Sequence, residues 1–129
     1  MKAQIALITI LTKDVPTMKN FYKDVLGFEI KSDMDNYVEF ESEGARFAIC
    51  NREIMTQVTG GHPSYQDEKN GQAFELAFPC DSPADVQKTF EEIVSKGATP
   101  VKAPSAMPWG QTTAFFADPD GNIHEIFSN

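Results

Sequence analysis

The sequence predicts an α+β fold of two tandem βαβββ modules whose sheets form one curved surface around a cavity, and three observations carry that prediction. Short apolar, β-branched segments dominate, and only two stretches keep a helical period, as expected when each sheet packs against one helix. The segments "NFYKDVLGFEI" and "TFEEIVSKGATPV" share the order helix end, glycine, strand. Finally, Gly44 precedes Arg46-Phe47-Ala48 as Gly121 precedes Ile123-His124-Glu125, so Ala48 and Glu125 are counterparts in a duplicated unit. The 129 residues suit one domain, with modules at about 4–51 and 73–128 and a connector at 52–72.

The elements follow in order. "QIALITIL", Gln4 to Leu11, is β-branched and apolar and reads as a strand. Pro16 suits a first helical turn, and Met18, Phe21, Tyr22, Val25 and Leu26 recur at three- and four-residue spacing up to Gly27. "FEIKSD", "YVEFES" and "RFAICN" read as three strands separated by the turn residues Asp33-Met34-Asp35-Asn36 and Glu43-Gly44. Residues 52–72 show no sustained period and read as a connector or lid. "AFELAFPC" restarts a strand, with Phe74, Leu76 and Phe78 as its core face and Glu75 on the other; Pro79 limits its pairing. Ser82 caps a second helix with Pro83 at its first position and Asp85 three residues on; Val86, Phe90, Ile93 and Val94 form its buried face before Gly97. "TPVKA", "QTTAFFA" and "IHEIFS" close the second module, the last two joined by the turn Asp118-Pro119-Asp120-Gly121.

A net charge of -8 and a pI near 4.6 exclude non-specific binding to nucleic acid or anionic membrane, both of which need clustered Lys and Arg. No stretch approaches the roughly 20 apolar residues of a membrane span, and the short apolar run near the N-terminus ends in Thr12-Lys13-Asp14 without a small-residue cleavage site. Cys50 and Cys80 form neither a CxxC pair nor a disulfide framework and are expected to be buried thiols. These features lead us to expect a cytoplasmic protein.

"FYKDVLGFEI", "FELAFPCDSPADV" and "PWGQTTAFFADPDGNIHEIF" together resemble the vicinal oxygen chelate superfamily, which includes glyoxalase I, extradiol dioxygenases, fosfomycin-resistance enzymes and bleomycin-resistance proteins. The resemblance spans nearly the whole chain and implies a glyoxalase-like fold, a small-molecule ligand and a homodimer. In metal-dependent relatives four inward positions on the first and last strands of each half carry His or Glu. Counted residue by residue, these fall on Leu7, Ala48, Glu75 and Glu125. Leu and Ala donate to no metal, and two carboxylates alone leave a divalent ion mostly hydrated. His124 neighbours Glu125 on a strand and so points to the opposite face, while His62 lies in the connector. No metal or other cofactor is therefore expected, the alternative being a divalent ion on Glu75 and Glu125.

Alternation alone does not assign Glu125 to a face, because Ile123, Glu125 and Phe127 share one side and His124, Ile126 and Ser128 the other, both partly apolar. The repeat and the resemblance set Glu125 towards the cavity. Trp109, the only tryptophan, sits between Pro108 and Gly110 on a loop, where the resemblance implies stacking on a flat ligand; a loop Trp folded onto the core is the competing reading. Phe47 is a core aromatic by pattern and a pocket wall by position. No GxSxG elbow or phosphate loop occurs, and no His lies near either Cys in sequence. The expected ligand contacts are thus Glu75, Glu125, Trp109, Leu7, Ala48 and Phe47. We expect a metal-independent protein that binds, and sequesters, a cationic or aromatic compound; the alternative is a metal-dependent lactoylglutathione-lyase-like or dioxygenase-like enzyme.

Overall fold

A computed structural model of the chain describes residues 1–66 and 71–129. It divides into two compact units, Met1–Asn70 and Gly71–Asn129, with the division inside the predicted connector. Residues 67–70 of that connector lie outside the described residues.

The first unit contains β1 (Leu7–Thr12), α1 (Val15–Asn20), β2 (Ile30–Asp33), β3 (Tyr37–Phe40), β4 (Arg46–Asn51) and α2 (Arg52–Val58). Its sheet runs β1-β4-β3-β2, with β1 parallel to β4 and the other pairs antiparallel. Asp14 starts α1 by accepting the Thr17 N–H at 3.1 Å, and Pro16 fills the first turn as expected. The helix then widens into a π-helical turn, Phe21–Val25, and Gly27 closes it at φ 82°. That turn buries both Phe21 and Tyr22, and α1 packs against β3 and β4. The Tyr22 ring stands 5.1 Å from Phe47 and 5.9 Å from Phe40, while Phe28 stands 5.4 Å from Phe47. Each such pair contributes about 0.5–1.5 kcal/mol beyond its area burial.

The second unit repeats the plan with β5 (Ala77–Pro79), α3 (Pro83–Ser95), β6 (Thr99–Ala106), β7 (Thr112–Ala117) and β8 (Ile123–Ser128), in the order β5-β8-β7-β6. Ser82 caps α3 through the Asp85 N–H at 3.1 Å, and α3 packs against β6, β7 and β8 through Val86 and Ile93. In the turn before β8, Asp118 Oδ1 accepts the N–H groups of Asp120 and Asn122, each at 3.0 Å, and Gly121 takes φ 82°. Asp118 is thus a turn former by its own hydrogen bonds.

Five expectations need correction. The connector holds a helix, α2, and a 3-10 turn at Pro63–Tyr65. Residues of α2 are only partly buried, and Asn51 starts the helix by accepting the Glu53 N–H at 2.8 Å; its capping, not a core-facing period, marks it. The first strand begins at Leu7, not Gln4. The fifth strand is three residues long because the Gln72 side chain replaces backbone pairing: its Nε2 donates to the Ile123 carbonyl at 2.8 Å and its Oε1 accepts the Ile123 N–H at 3.1 Å. Phe74, expected in the core, is 54% exposed. Cys50 is buried as expected, whereas Cys80 is only partly so; burial pushes both thiols up, away from reactive thiolates.

Candidate functional site

Each sheet has a near face packed against α1 or α3 and a far face turned from it. In the second unit, His124 and Ile126 point to the near face with Phe116, and the His124 ring stands 6.0 Å from Phe78. Because side chains alternate along a strand, Ile123, Glu125 and Phe127 occupy the far face. Across the ladder, Glu125 is in register with Ala77 on β5 and Phe115 on β7, and Phe115 with Lys102 on β6.

Glu125 is partly buried on this far face, and no ion pair or side-chain hydrogen bond satisfies it among the described residues. Burial, and then the negative charge of Glu75, push its carboxyl above the ordinary range. The two carboxylates that the sequence singled out are therefore electrostatic neighbours. Glu75 is exposed, on the stretch that Gln72 and His124 hold against β8: His124 Nδ1 accepts the Leu76 N–H at 3.2 Å, and the Glu125 N–H donates to the Leu76 carbonyl at 3.0 Å. With Nδ1 accepting, the neutral ring carries its proton on Nε2, which lies 3.6 Å from Asp118 Oδ2.

The far face of the first unit is built alike. Ala48 is the third residue of β4 as Glu125 is of β8, and it pairs with Thr9 as Glu125 pairs with Ala77. Leu7 stands two residues before Thr9, as Glu75 stands two before Ala77. Leu7 is 38% exposed and Ala48 is fully buried; neither side chain has a donor atom. Phe47, expected among the ligand contacts, lies on the near face instead, inside the Tyr22–Phe28–Phe40 cluster.

Trp109 is 67% exposed on the β6–β7 loop, and its Nε1 donates to Gln111 Oε1 at 3.0 Å. Gln111 is tied to Asn129 at 2.9 Å, four residues past Glu125 and so about 13 Å along the strand direction. The indole is thus anchored at the end of the sheet, not beside the carboxylates. It is not folded onto the core either.

One cluster escaped the sequence reading. Glu39 on β3 is in register with Ala48 and is 5% exposed on the first far face. Arg46 grips it with two hydrogen bonds, Nε at 2.9 Å and Nη2 at 2.6 Å; Lys31 stands at 3.4 Å and the Tyr37 hydroxyl donates at 3.2 Å. The Arg46 hydrogen bonds, and further the charge of Arg46 and bonds from Lys31 and Tyr37, outweigh burial and lower its carboxyl to about 2. Alternation in "YVEFES" puts Glu39 opposite Val38 and Phe40, but only the cross-strand register brings Arg46 to it.

Across the described residues, no three His, Cys, Asp or Glu side chains gather as a metal-ligand set. Of Leu7, Ala48, Glu75 and Glu125, only the two glutamates carry donor atoms, and two donors do not make a tetrahedral site, which takes at least three protein ligands.

The sequence model of the Glyoxalase/Bleomycin resistance protein/Dioxygenase superfamily matches residues 4–126. An uncharacterized protein YraH of Bacillus subtilis (strain 168) is 29% identical over 124 residues, 93% of this chain and 94% of that protein. A glyoxalase/bleomycin resistance protein/dioxygenase family enzyme from Burkholderia phytofirmans PsJN superposes with a TM-score of 0.87 at 23% identity, over 98% of each chain. A lactoylglutathione lyase from Agrobacterium tumefaciens gives 0.77 at 20% identity, over 100% of this chain and 96% of that one. At these identities the structural likeness is one of fold. The match over 4–126, together with the duplicated βαβββ sheets, places the chain in the glyoxalase/bleomycin resistance protein/dioxygenase superfamily.

Proposed function

We propose that the protein binds a small cationic molecule on the far face of its second sheet, without a metal, and sequesters it. One observation carries the reading: Glu125 is a partly buried carboxylate with no cation beside it among the described residues, raised in pKa by burial and by Glu75. A charge left unpaired in partial burial is costly to the free protein, and a cationic ligand offsets that cost. Glu39 serves as the internal comparison, because its own chain already neutralises it. Phe115 and Phe127 border Glu125 on the same face and supply apolar surface. The lack of a donor atom in Leu7 and Ala48 supports metal independence.

The test compares benzamidine, benzamide and benzoate, which share a ring and differ in charge, by NMR titration of the full chain. The cation should be favoured over the anion by about 1–3 kcal/mol, and Glu125→Gln should remove the preference. Equal affinities would contradict the reading. Stoichiometric, tight uptake of Ni, Zn, Mn or Fe would turn it towards the metal-dependent lyase or dioxygenase class.

The protein is further proposed to be a cytoplasmic homodimer. β1 and β5 are edge strands with one neighbour each, and Ile5 and Phe74, 72% and 54% exposed, leave apolar surface beside them. No described helix is long and apolar enough to cross a membrane. Sedimentation at micromolar concentration should give twice the chain mass; a monomer would contradict the dimer.

A further inference from the structure

Three buried side-chain hydroxyls have no hydrogen-bond partner among the described residues: Ser105 Oγ, Thr113 Oγ1 and Ser128 Oγ. Ser128 lies with His124 and Ile126 on the near face, against α3. The other two belong together. Thr113 is in register with Ser105 on β6 and with Phe127 on β8, and antiparallel partners share a face, so both hydroxyls lie on the far face with Glu125. Strand spacing puts Thr113 about 8 Å and Ser105 about 12 Å from the Glu125 backbone.

A buried hydroxyl without a partner costs stability, and valine would fill the Thr113 position with the same shape and no such cost. Two orphaned hydroxyls, neighbours across one ladder and one row from an unpaired carboxylate, have the pattern of a polar subsite that completes its hydrogen bonds with a bound molecule. Phe115, in the Glu125 row, and Phe127, in the Thr113 row, are both partly exposed, so a flat ring lying between the rows meets aromatic surface.

We infer that Thr113 and Ser105 form the hydrogen-bonding end of a site whose acidic end is Glu125, and that its ligand class is a cation carrying a hydroxyl or carbonyl about one aromatic ring away from its charge. The inference rests on the reading of Glu125 as a ligand contact, and it adds the residues that decide which cations are preferred.

Benzamidine, 4-hydroxybenzamidine and phenol, titrated into the full chain while the backbone amides of Thr113 and Phe127 are followed by NMR, separate the two ends. We expect 4-hydroxybenzamidine to bind about three- to tenfold more tightly than benzamidine, which is the net worth of one hydrogen bond. Thr113→Val should abolish that advantage. Ser105→Ala, on the neighbouring strand, should reduce the advantage and carries the same test whether or not Thr113→Val folds. Glu125→Gln should weaken both amidines and leave phenol untouched. If the amidines do not bind but phenol does, and loses affinity in Thr113→Val, the acidic reading falls and the hydroxyl subsite stands. An advantage that is absent, one that survives both hydroxyl substitutions, or three probes that leave the Thr113 amide unmoved would overturn the inference.

Discussion

Glu39 and Glu125 occupy the far faces of their respective sheets, and their surroundings assign them opposite roles. Glu39 faces Ala48 across its ladder and is held by Arg46, Lys31 and Tyr37; Glu125 faces Ala77 and Phe115, and its carboxylate has no ion pair or hydrogen bond among the described residues. Two predictions follow from their opposite pKa shifts. A carboxyl raised in the folded state contributes most favourably below its unfolded pKa, and that contribution is lost as pH rises through the folded value. Glu125 should therefore be destabilising when ionised: Glu125→Gln is expected to raise the thermal midpoint at pH 7 and to change it little at pH 4, by calorimetry. Glu39 has the opposite sign. Its contribution is complete above the unfolded pKa and is lost as pH falls through the folded value of about 2, so acid unfolding monitored from pH 5 to 2 should be shallower in Glu39→Gln, which starts from a lower midpoint. Alternation in the sequence offered two possible faces for Glu125, and the repeat and the resemblance set it towards the cavity. Glu39 was not legible, because its partner Arg46 comes from the next strand and the β3–β4 register is set by a turn that periodicity does not specify.

At the level of elements, β8 is the centre of the second unit, and the stretch leading into β5 reaches it through side chains as much as through backbone. Gln72 mimics a strand peptide against Ile123, and His124 receives the Leu76 N–H. His124 is 1% exposed, so His124→Ala removes a buried ring and orphans that N–H; a loss of about 2–4 kcal/mol is expected in denaturant unfolding. Ser82→Ala removes the cap of α3 and should cost about 1 kcal/mol by the same measurement. Both helices that carry a core-facing stripe were legible, since Pro16, Gly27, Ser82, Pro83 and Gly97 punctuate them. The helix α2 was not, because it is built on the Asn51 cap and buries no residue fully. Strand β5 was overextended for a related reason: "AFELAF" alternates like a strand, but a side-chain amide takes the place of its first backbone partners.

Across the whole molecule, the duplication made the fold readable. Two sheets with the order first-fourth-third-second strand, each with a helix after its first strand, put Ala48 and Glu125 at the same station, and a difference between two copies of one station is informative in a way that one residue is not. The first unit lacks a donor there, and the second has a carboxylate without a partner. A net charge of -8 adds a general attraction for cations, which salt screens, whereas the contribution of Glu125 itself should persist at high salt because it is partly buried. The central claim is that this carboxylate awaits a cationic ligand. Its most direct measurement is a carbon-13 NMR titration of the Glu125 side-chain carboxyl, free and with saturating benzamidine. We predict a midpoint above that of an ordinary glutamate in the free protein, moved downwards when the cation binds and stabilises the ionised form. An ordinary midpoint that benzamidine leaves in place, or one that shifts only on stoichiometric addition of a divalent metal, would contradict the account.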